Sequence, residues 1–440
     1  MGSRRLAAAL VLGFLAPIAG FGPQAGAVGY PQPNVVSANP VDTTPHVLNG
    51  SVLAIAAVGS RVYVGGTFTT VADAGSTAQS PRNYLFAFDR STGRVVTTYT
   101  PAVNGPVESI APAPDGTSII IGGRFTTVNG AAQRGLAMLD TNGARVSSFA
   151  ARTNGYVLKV LVRGSQLIAG GRFSAANGVS RSNLAVLHAS TGALDTSFTI
   201  GATQGRTRTN GTTPAAFIDE MDANANGTRL VVIGNFRQVG GQPRQQIAMI
   251  DLVARSVTGW FTNRFPNDVA GTPQAYKCGQ SFDTQMRDVE FSPDGGYFVV
   301  VTTGGAPDRN ATSLCDTASR WETAATPGPN GVVETWKNCT GGDTLYSVAT
   351  TGVAIYVGGH QRWLDNCGGR DNATAGSFDA PGIGAINPTT GAAIRTWNPG
   401  RTRGVGAEEL VANAEGLYIG SDTESLGGEY HARLGRFPLS

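Results

Sequence analysis

The sequence predicts an all-β fold, a seven-bladed β-propeller with four-stranded blades, and three observations predict it. A short apolar strand closed by two small residues returns seven times. Each copy is flanked by further short strands joined by turn residues. No stretch carries the 3.6-residue apolar period of a helix.

The recurring strand reads VYVGGTF to Phe68, IIIGGRF to Phe125, LIAGGRF to Phe173 and VVIGNF to Phe236. Later forms are VVVTTGG to Gly305, IYVGGH to His360 and LYIGS to Ser421. From Gly66 to Gly420 the interval averages (420 − 66)/6 = 59 residues. Upstream of each copy lies another short strand, such as VESIAPA before Asp115 and RDVEFS before Pro293. The two are joined by Pro114-Asp115-Gly116, Asn226-Gly227, Pro293-Asp294-Gly295 or Glu415-Gly416, which are hairpin signals. Downstream, LFAFDRSTGRVVTTY from Leu85, LAMLDTNGARVSSF from Leu136 and IGAINPTTGAAIRTW from Ile383 each read as a third and a fourth strand. The seventh copy ends at HARLGRFPLS with no fourth strand. An orphan near the N-terminus, SANPVDTTPHVLNG from Ser37, resembles the missing piece, as in TWNPGRTRG from Thr396. Residues around 33–44 are therefore expected to supply the outer strand of the last blade and close the ring, making residues 28–440 one domain.

Composition agrees. Of 440 residues, 60 are glycine and 23 proline, too many for long helices, while 41% are hydrophobic, too many for disorder. The net charge is +3 and no basic run appears, which argues against a nucleic-acid partner or an anionic membrane surface. Residues 1–27 read as a secretory signal: Arg4 and Arg5, an apolar stretch from Leu6 to Ile18, then Ala25-Gly26-Ala27. Ser3-Arg4-Arg5-Leu6 partly matches a twin-arginine motif, but alanine follows where that motif prefers an aromatic, so general secretion is favoured. Nothing later is long and apolar enough to span a membrane. The expectation is a secreted, extracellular monomer.

The four cysteines allow three pairings, and an exported chain favours two disulfides. Their neighbourhood narrows the choice. The insertions NRFPNDVAGTPQAYKCGQS from Asn263, APDRNATSLCDTASRWETAATPGPNG from Ala306 and HQRWLDNCGGRDNATAGSFDAP from His360 enlarge connections on one face of blades four to six. All four cysteines fall on that face, and adjacency pairs Cys278 with Cys315 and Cys339 with Cys367. An enlarged, stapled loop face is the expected working face.

The seven copies resemble the delta-60 repeat family of secreted bacterial β-propellers over nearly all of the chain after the leader. The GG-x-F strand ends and the D-x-x-T-G turn at Asp89–Gly93 are also similar, less fully, to quinoprotein propellers; His188 and Asn387 replace that aspartate elsewhere. The resemblance implies the fold and carries over no catalytic residue, since one fold hosts many activities.

Candidate sites come from the register of the innermost strands, which flank the central channel. Two residues before an apolar anchor stand Leu53, Glu108, Leu158, Asp219, Arg287, Tyr346 and Glu408. One residue before it stand Ala54, Ser109, Lys159, Glu220, Asp288, Ser347 and Glu409. Glu108, Asp219, Glu408 and Arg287 are candidates to converge on a ligand at the channel mouth; the alternative is that they pair with one another or with neighbouring blades. Glu220 and Asp288 are of the type for paired acid–base chemistry, with His360 a third catalytic candidate. His360, Arg362 and Trp363 replace the plain turn of other copies, and an aromatic beside a guanidinium suits a sugar ring and its hydroxyls. The alternative is that Trp363 caps the blade beside Cys367.

Other patterns carry structural readings. Arg124 and Arg172 recur in one turn, and Arg82, Arg134, Arg181 and Arg244 each precede a third strand as blade-to-blade fasteners. His46, His188 and His431 are scattered. Asp222-x-Asn224-x-Asn226-Gly227 imitates half a calcium loop, but Ile233 stands at position 12, so no cofactor or metal is expected. There is no G-x-S-x-G, H-E-x-x-H or P-loop. The functional expectation is a binding protein for an extracellular carbohydrate or surface polymer, gripped by blades four to six. A hydrolase or lyase using the channel-mouth carboxylates, and a protein–protein platform, are the alternatives.

Overall fold

The computed structural model describes residues 29–208, 211–265, 278, 282–305 and 313–440. The leader at residues 1–27, most of the insertion from Asn263 and the first seven residues of that from Ala306 lie outside the described residues. Among the described residues every regular element is a β-strand, and no helix is long and apolar enough to cross a membrane.

Seven antiparallel sheets share one plan. Their first strands are Val52–Val58, Val107–Pro112, Tyr156–Arg163, Phe217–Ala223, Met286–Phe291, Leu345–Thr350 and Ala407–Asn413. Each pairs with a second strand, the glycine-ended copy of the sequence repeat, and that strand pairs with a third. The hairpin turn between the first two is held by its own side chains. In the second sheet, Asp115 Oδ1 accepts the amides of Thr117 (2.9 Å) and Ser118 (2.8 Å) while Gly116 takes a φ of 72°.

Every first strand lies against the first strand of the next sheet, and Ala407–Asn413 also lies against Val52–Val58. The core therefore sits between sheets. One cluster joins Tyr63 and Leu85 to Ile110 and Ile121, and another joins Val62 and Phe86 to Tyr418 and Leu434 of the seventh sheet. A sheet covered on both faces cannot alternate apolar and polar residues. That is why second strands such as Ile119–Gly123, Tyr297–Thr302 and Ile355–Gly359 are buried at every position.

The two glycines do separate jobs. A Cβ on Gly65 would sit 2.7 Å from Val107 Cγ1 of the next sheet, and one on Gly170 would sit 2.9 Å from Ile218 Cγ2. The first glycine thus lets the neighbouring sheet approach. A Cβ on the second would run into backbone: Gly66 meets the Ser51 carbonyl and Gly171 that of Tyr156. It faces a bulge in the first strand, described below. The phenylalanine that follows is buried in each case, at Phe68, Phe125, Phe173 and Phe236.

Three features depart from expectation. Among the described residues a fourth strand forms only in the fourth sheet (Ser256–Val257) and the fifth (Trp336–Cys339). In four other sheets it shrinks to one bridge: Phe88 with Val95, Leu139 with Arg145, Leu187 with Leu194, and Ile386 with Ala393. These segments lie at the sheet edge, where short strands avoid edge-to-edge pairing. Second, the turn between second and third strands carries a small ribbon of its own, such as Thr70–Ala72 with Gln79–Pro81 or Ser425–Leu426 with Glu429–Tyr430. Third, Arg181 and Arg244 do not fasten one sheet to another. Arg181 Nη2 donates to the carbonyls of Asp195 and Thr196 (both 3.2 Å) and Arg244 Nη2 to that of Thr258 (2.6 Å), each on the outer segment of its own sheet.

The N-terminal segment is laced across several sheets. The Gly29 amide donates to Phe291 O of the fifth sheet, Gln32 N to Thr351 O beside the sixth, and Gln32 Nε2 to Asn413 O and Gly416 O of the seventh. Ser37 N then donates to Pro438 O and Val41 N to Arg436 O, both 2.9 Å, along the free edge of the last third strand, Leu434–Pro438. The Trp397 indole donates to Ser37 O (3.2 Å).

The disulfides are Cys278–Cys315 and Cys339–Cys367. The first ties the connection ahead of the fifth sheet to the loop between its second and third strands. The second ties the outermost strand of the fifth sheet to the corresponding loop of the sixth. They close loops of 37 and 28 residues, and chain-entropy arithmetic assigns each about 3–4 kcal/mol. Replacing Cys339 and Cys367 together with serine is expected to lower the urea midpoint accordingly; a change under about 1 kcal/mol would show that the fifth and sixth sheets hold without the bridge.

Candidate functional site

The first and second strands of each sheet are out of step by one residue at the same point. Pairing jumps from Val52 to Ala54, Val107 to Ser109, Val157 to Lys159, Ile218 to Glu220, Met286 to Asp288, Leu345 to Ser347 and Ala407 to Glu409. The residues skipped are Leu53, Glu108, Leu158, Asp219, Arg287, Tyr346 and Glu408. A bulged residue leaves the ladder and its side chain is re-aimed. All seven line a single cavity of about 500 Å³, together with Arg124, Tyr156, Arg172, Glu220, Asp288 and Glu409.

The cavity opens at the ends where first strands begin and second strands finish, as pairs such as Tyr156 with Arg172 and Phe217 with Asn235 show. Loops between second and third strands leave from those same ends. The mouth and the enlarged, disulfide-bonded loops therefore share one face.

Charge at the mouth is mixed. Glu108 pairs with Arg124, whose guanidinium also lies 5.9 Å from the Tyr156 ring centroid. Arg172 stacks 3.5 Å over Phe217, and Arg287 lies over Phe282 (5.2 Å) and Tyr346 (5.7 Å) while Nη1 donates to Met286 O (2.9 Å). Burial pushes the Asp219 carboxyl up, against the pull of Arg287 and Arg172. Burial pushes Glu408 up to about 7, against Ser51 and Arg401, and its Oε2 is buried with no hydrogen-bond partner among the described residues.

One residue deeper, Lys159 Nζ lies 2.8 Å from Glu220 Oε2, with Asp288 and Glu409 close enough to act on it. Burial raises all three carboxyls against the attraction of Lys159, Glu409 to about 7. Burial alone would lower Lys159, but the three carboxylates outweigh it and raise it. One cation facing three carboxyls keeps protons on some of them at neutral pH. Asp288 also holds structure: Oδ1 accepts the Val289 amide (2.8 Å) and Oδ2 that of Val348 in the next sheet (2.9 Å). Below them a smaller cavity, about 40 Å³, touches Ser109, Lys159, Asp288, Glu290 and Glu409.

His360, Arg362 and Trp363 do not line the mouth. Arg362 is bidentate on Asp343 (2.8 and 3.1 Å), reaches Asp371 (2.8 Å), and lies 4.4 Å over the Trp363 ring. His360 Nδ1 meets Gly404 O, and its carbonyl accepts Arg403 Nε (2.9 Å). These groups brace the loop face of the sixth and seventh sheets. The calcium-like loop is likewise occupied by its own hairpin: Asn224 Oδ1 accepts the amides of Thr228 (2.9 Å) and Arg229 (2.8 Å), and Asp222 is buried against Arg163 (3.3 Å).

Two sets of residues went unread in the sequence. Arg124 and Arg172, assigned a structural role by recurrence, stand at the mouth. Asn49, Asn104 and Asn154 each precede a first strand and accept two amides from the far side of the glycine pair, as Asn104 Oδ1 does from Thr126 (2.8 Å) and Thr127 (2.9 Å). The Asn-Gly pairs at 49–50, 104–105 and 154–155 were the signal.

A family model described as the Rax2 C-terminal beta propeller domain matches residues 85–209, which run from the third strand of the first sheet through the third sheet. No curated protein matches the chain. Over those residues the chain is similar to a β-propeller domain, and with its repeated antiparallel sheets this supports a propeller repeat protein without singling out the delta-60 repeat family.

Proposed function

We propose that this chain is a secreted, seven-bladed β-propeller of the delta-60 repeat type, its last blade completed by residues 37–41, and that it binds a hydroxyl-rich extracellular ligand, a carbohydrate or surface polymer, at the channel mouth. The observation that carries the reading is the ring of seven bulged residues around one 500 Å³ cavity on the face with the enlarged loops. Arg124, Arg172 and Arg287 offer forked donors for hydroxyls or a carboxylate, Glu108, Asp219 and Glu408 offer acceptors, and Tyr156 and Tyr346 offer ring faces. The loops braced by Arg362 and Trp363 extend the same surface outward. Two disulfides suit an oxidising compartment.

A glycan panel read by thermal shift tests this. Ligand at a hundred times its dissociation constant adds about 2.7 kcal/mol of stability. Arg287→Ala is expected to weaken binding by about tenfold to a hundredfold, the cost of a charged hydrogen bond of about 1.5–3 kcal/mol. Binding that ignores Arg287→Ala and Asp219→Asn but is lost in Trp363→Ala would move the site to the outer loops. Silence across the panel would favour a protein partner.

A catalytic reading rests on Glu220 and Asp288, raised carboxyls flanking Lys159 in the same cavity. A hydrolase or lyase would lose turnover in Glu220→Gln with binding retained, whereas a binding protein would show no turnover to lose.

A further inference from the structure

The seam between the N-terminal segment and the last sheet brings together three side chains of metal-ligating type. Asp42 lies one residue beyond the amide of Val41 that joins the edge of Leu434–Pro438. Glu429 and His431 come from the ribbon of the seventh sheet, two residues apart, a spacing that turns extended side chains to one side. One ligand atom from each lies within 4.8 Å of the others. Asp42 and Glu429 are exposed, whereas the His431 side chain is only 4% exposed.

The polar contacts of His431 are long for such a buried ring. Nδ1 is 3.4 Å from Thr44 Oγ1, and Nε2 is 3.4 Å from Glu429 Oε2. A buried imidazole normally closes on its partners at about 2.8–3.0 Å. The spacing is loose for hydrogen bonds and suits an ion between the groups, where ligand atoms stand about 2.0–2.2 Å from the metal. Glu429 also lines an open cleft of about 600 Å³ with Asp422, Glu424 and Arg433, which gives an entry path.

We propose that Asp42, Glu429 and His431 form a divalent transition-metal site, one imidazole and two carboxylates, of the kind zinc or manganese takes. The metal bridges the N-terminal segment to the last sheet and clasps the seam where the two ends of the chain meet. Calcium and magnesium fit less well, because neither favours an imidazole ligand. The histidines expected to be scattered are partly gathered here: His46 stacks on Tyr430 (4.8 Å), and burial and then the nearby His431 lower its basicity. His188 remains apart, in the turn after the third strand of the third sheet, where Nδ1 stands 3.4 Å from the Ser190 amide.

The test uses the full mature chain, stripped with chelator and titrated with zinc chloride and, separately, calcium chloride. Zinc is expected to raise the melting temperature and to slow amide exchange across residues 37–47, with calcium weaker. Asp42→Asn and Glu429→Gln alter exposed side chains and leave the fold intact, and each should weaken zinc binding by about tenfold or more. His188→Ala, at an exposed histidine away from the seam, should leave it unchanged. Zinc without effect on melting or exchange, or an effect that survives both Asp42→Asn and Glu429→Gln, would overturn the proposal. So would an effect abolished by His188→Ala.

Discussion

Replacing Arg163 with alanine should cost about 3–5 kcal/mol of folding stability at pH 8, the range found when one partner of a buried ion pair is removed. Arg163 ends the first strand of the third sheet, and its Nη2 reaches Asp222 Oδ1 (3.3 Å) and Ala223 O (3.1 Å) of the fourth. Asp222 in turn accepts the Phe291 amide of the fifth sheet through Oδ2 (2.8 Å). Three sheets thus meet at one buried carboxylate, 1% exposed. Burial pushes Asp222 up to about 7 despite Arg163 and its amide donors, and burial raises neighbouring Glu290 as well. Without the guanidinium both carboxyls would favour their protonated forms, so the loss should be smaller at pH 5. Urea unfolding at the two pH values checks this, and an equal loss at both would show that Arg163 acts through packing alone. Arg163→Met with Asp222→Asn removes both charges and should recover much of the stability.

The melting temperature of the wild-type chain should peak near pH 4–5 and decline toward pH 8. Burial raises Asp222, Asp316, Glu408 and Glu409 to about 7 each, whereas in the unfolded chain they ionise near 4. Below pH 4 both states hold these protons and the groups contribute nothing. Between about 4 and 7 the folded state keeps protons that the unfolded state releases, so stability falls as pH rises and levels off above 7. A unit of separation is worth about 1.4 kcal/mol, so even one such group sets an effect on the order of several kcal/mol. Turn aspartates act in the opposite sense. Hydrogen bonds from Ser91 and Thr92 lower Asp89, and those from Ser197 and Ser292 lower Asp195 and Asp294. Their stabilisation is present above about pH 4 and lost as pH falls further. His46, lowered by burial, adds a smaller opposing contribution, lost as pH falls below about 6.5. Melts from pH 3.5 to 8 decide the matter: a temperature that climbs from pH 5 to 8 contradicts the buried carboxyls, and Glu409→Gln should flatten the decline.

Much of the architecture was legible because it repeats. A strand buried on both faces must be continuously apolar, and seven such runs near 59 residues apart announced seven similar sheets. The hairpins announced themselves through Pro-Asp-Gly and Asn-Gly turns. The outer strands were over-read, because RVVTTY after Gly93 has strand composition yet keeps one bridge, at Val95; composition does not report whether an edge has a partner. The register that placed Glu108, Asp219, Arg287 and Glu408 in one row was readable in the sequence; that Arg362 is held by Asp343 and Asp371 and His360 by Gly404 was not, because those partners are distant in the chain or in separate loops.

Residue spacing and type alone set the strand repeat, the hairpin turns, the grouping of the cysteines on one set of loops and the row of residues before each apolar anchor. These are local properties, written in spacing and residue type. The tertiary structure alone decided where that row points. A bulge shifts pairing by one residue and so redirects a side chain without changing the composition of its strand. In six of the seven sheets a glycine on the partner strand faces the bulge, and the carboxylates, arginines and lysine that share the channel come from different sheets. The third seam residue, Asp42, stands nearly 400 positions from Glu429 and His431 in the chain. Which charges meet is fixed by the closure of sheet upon sheet, and no local pattern carries that information.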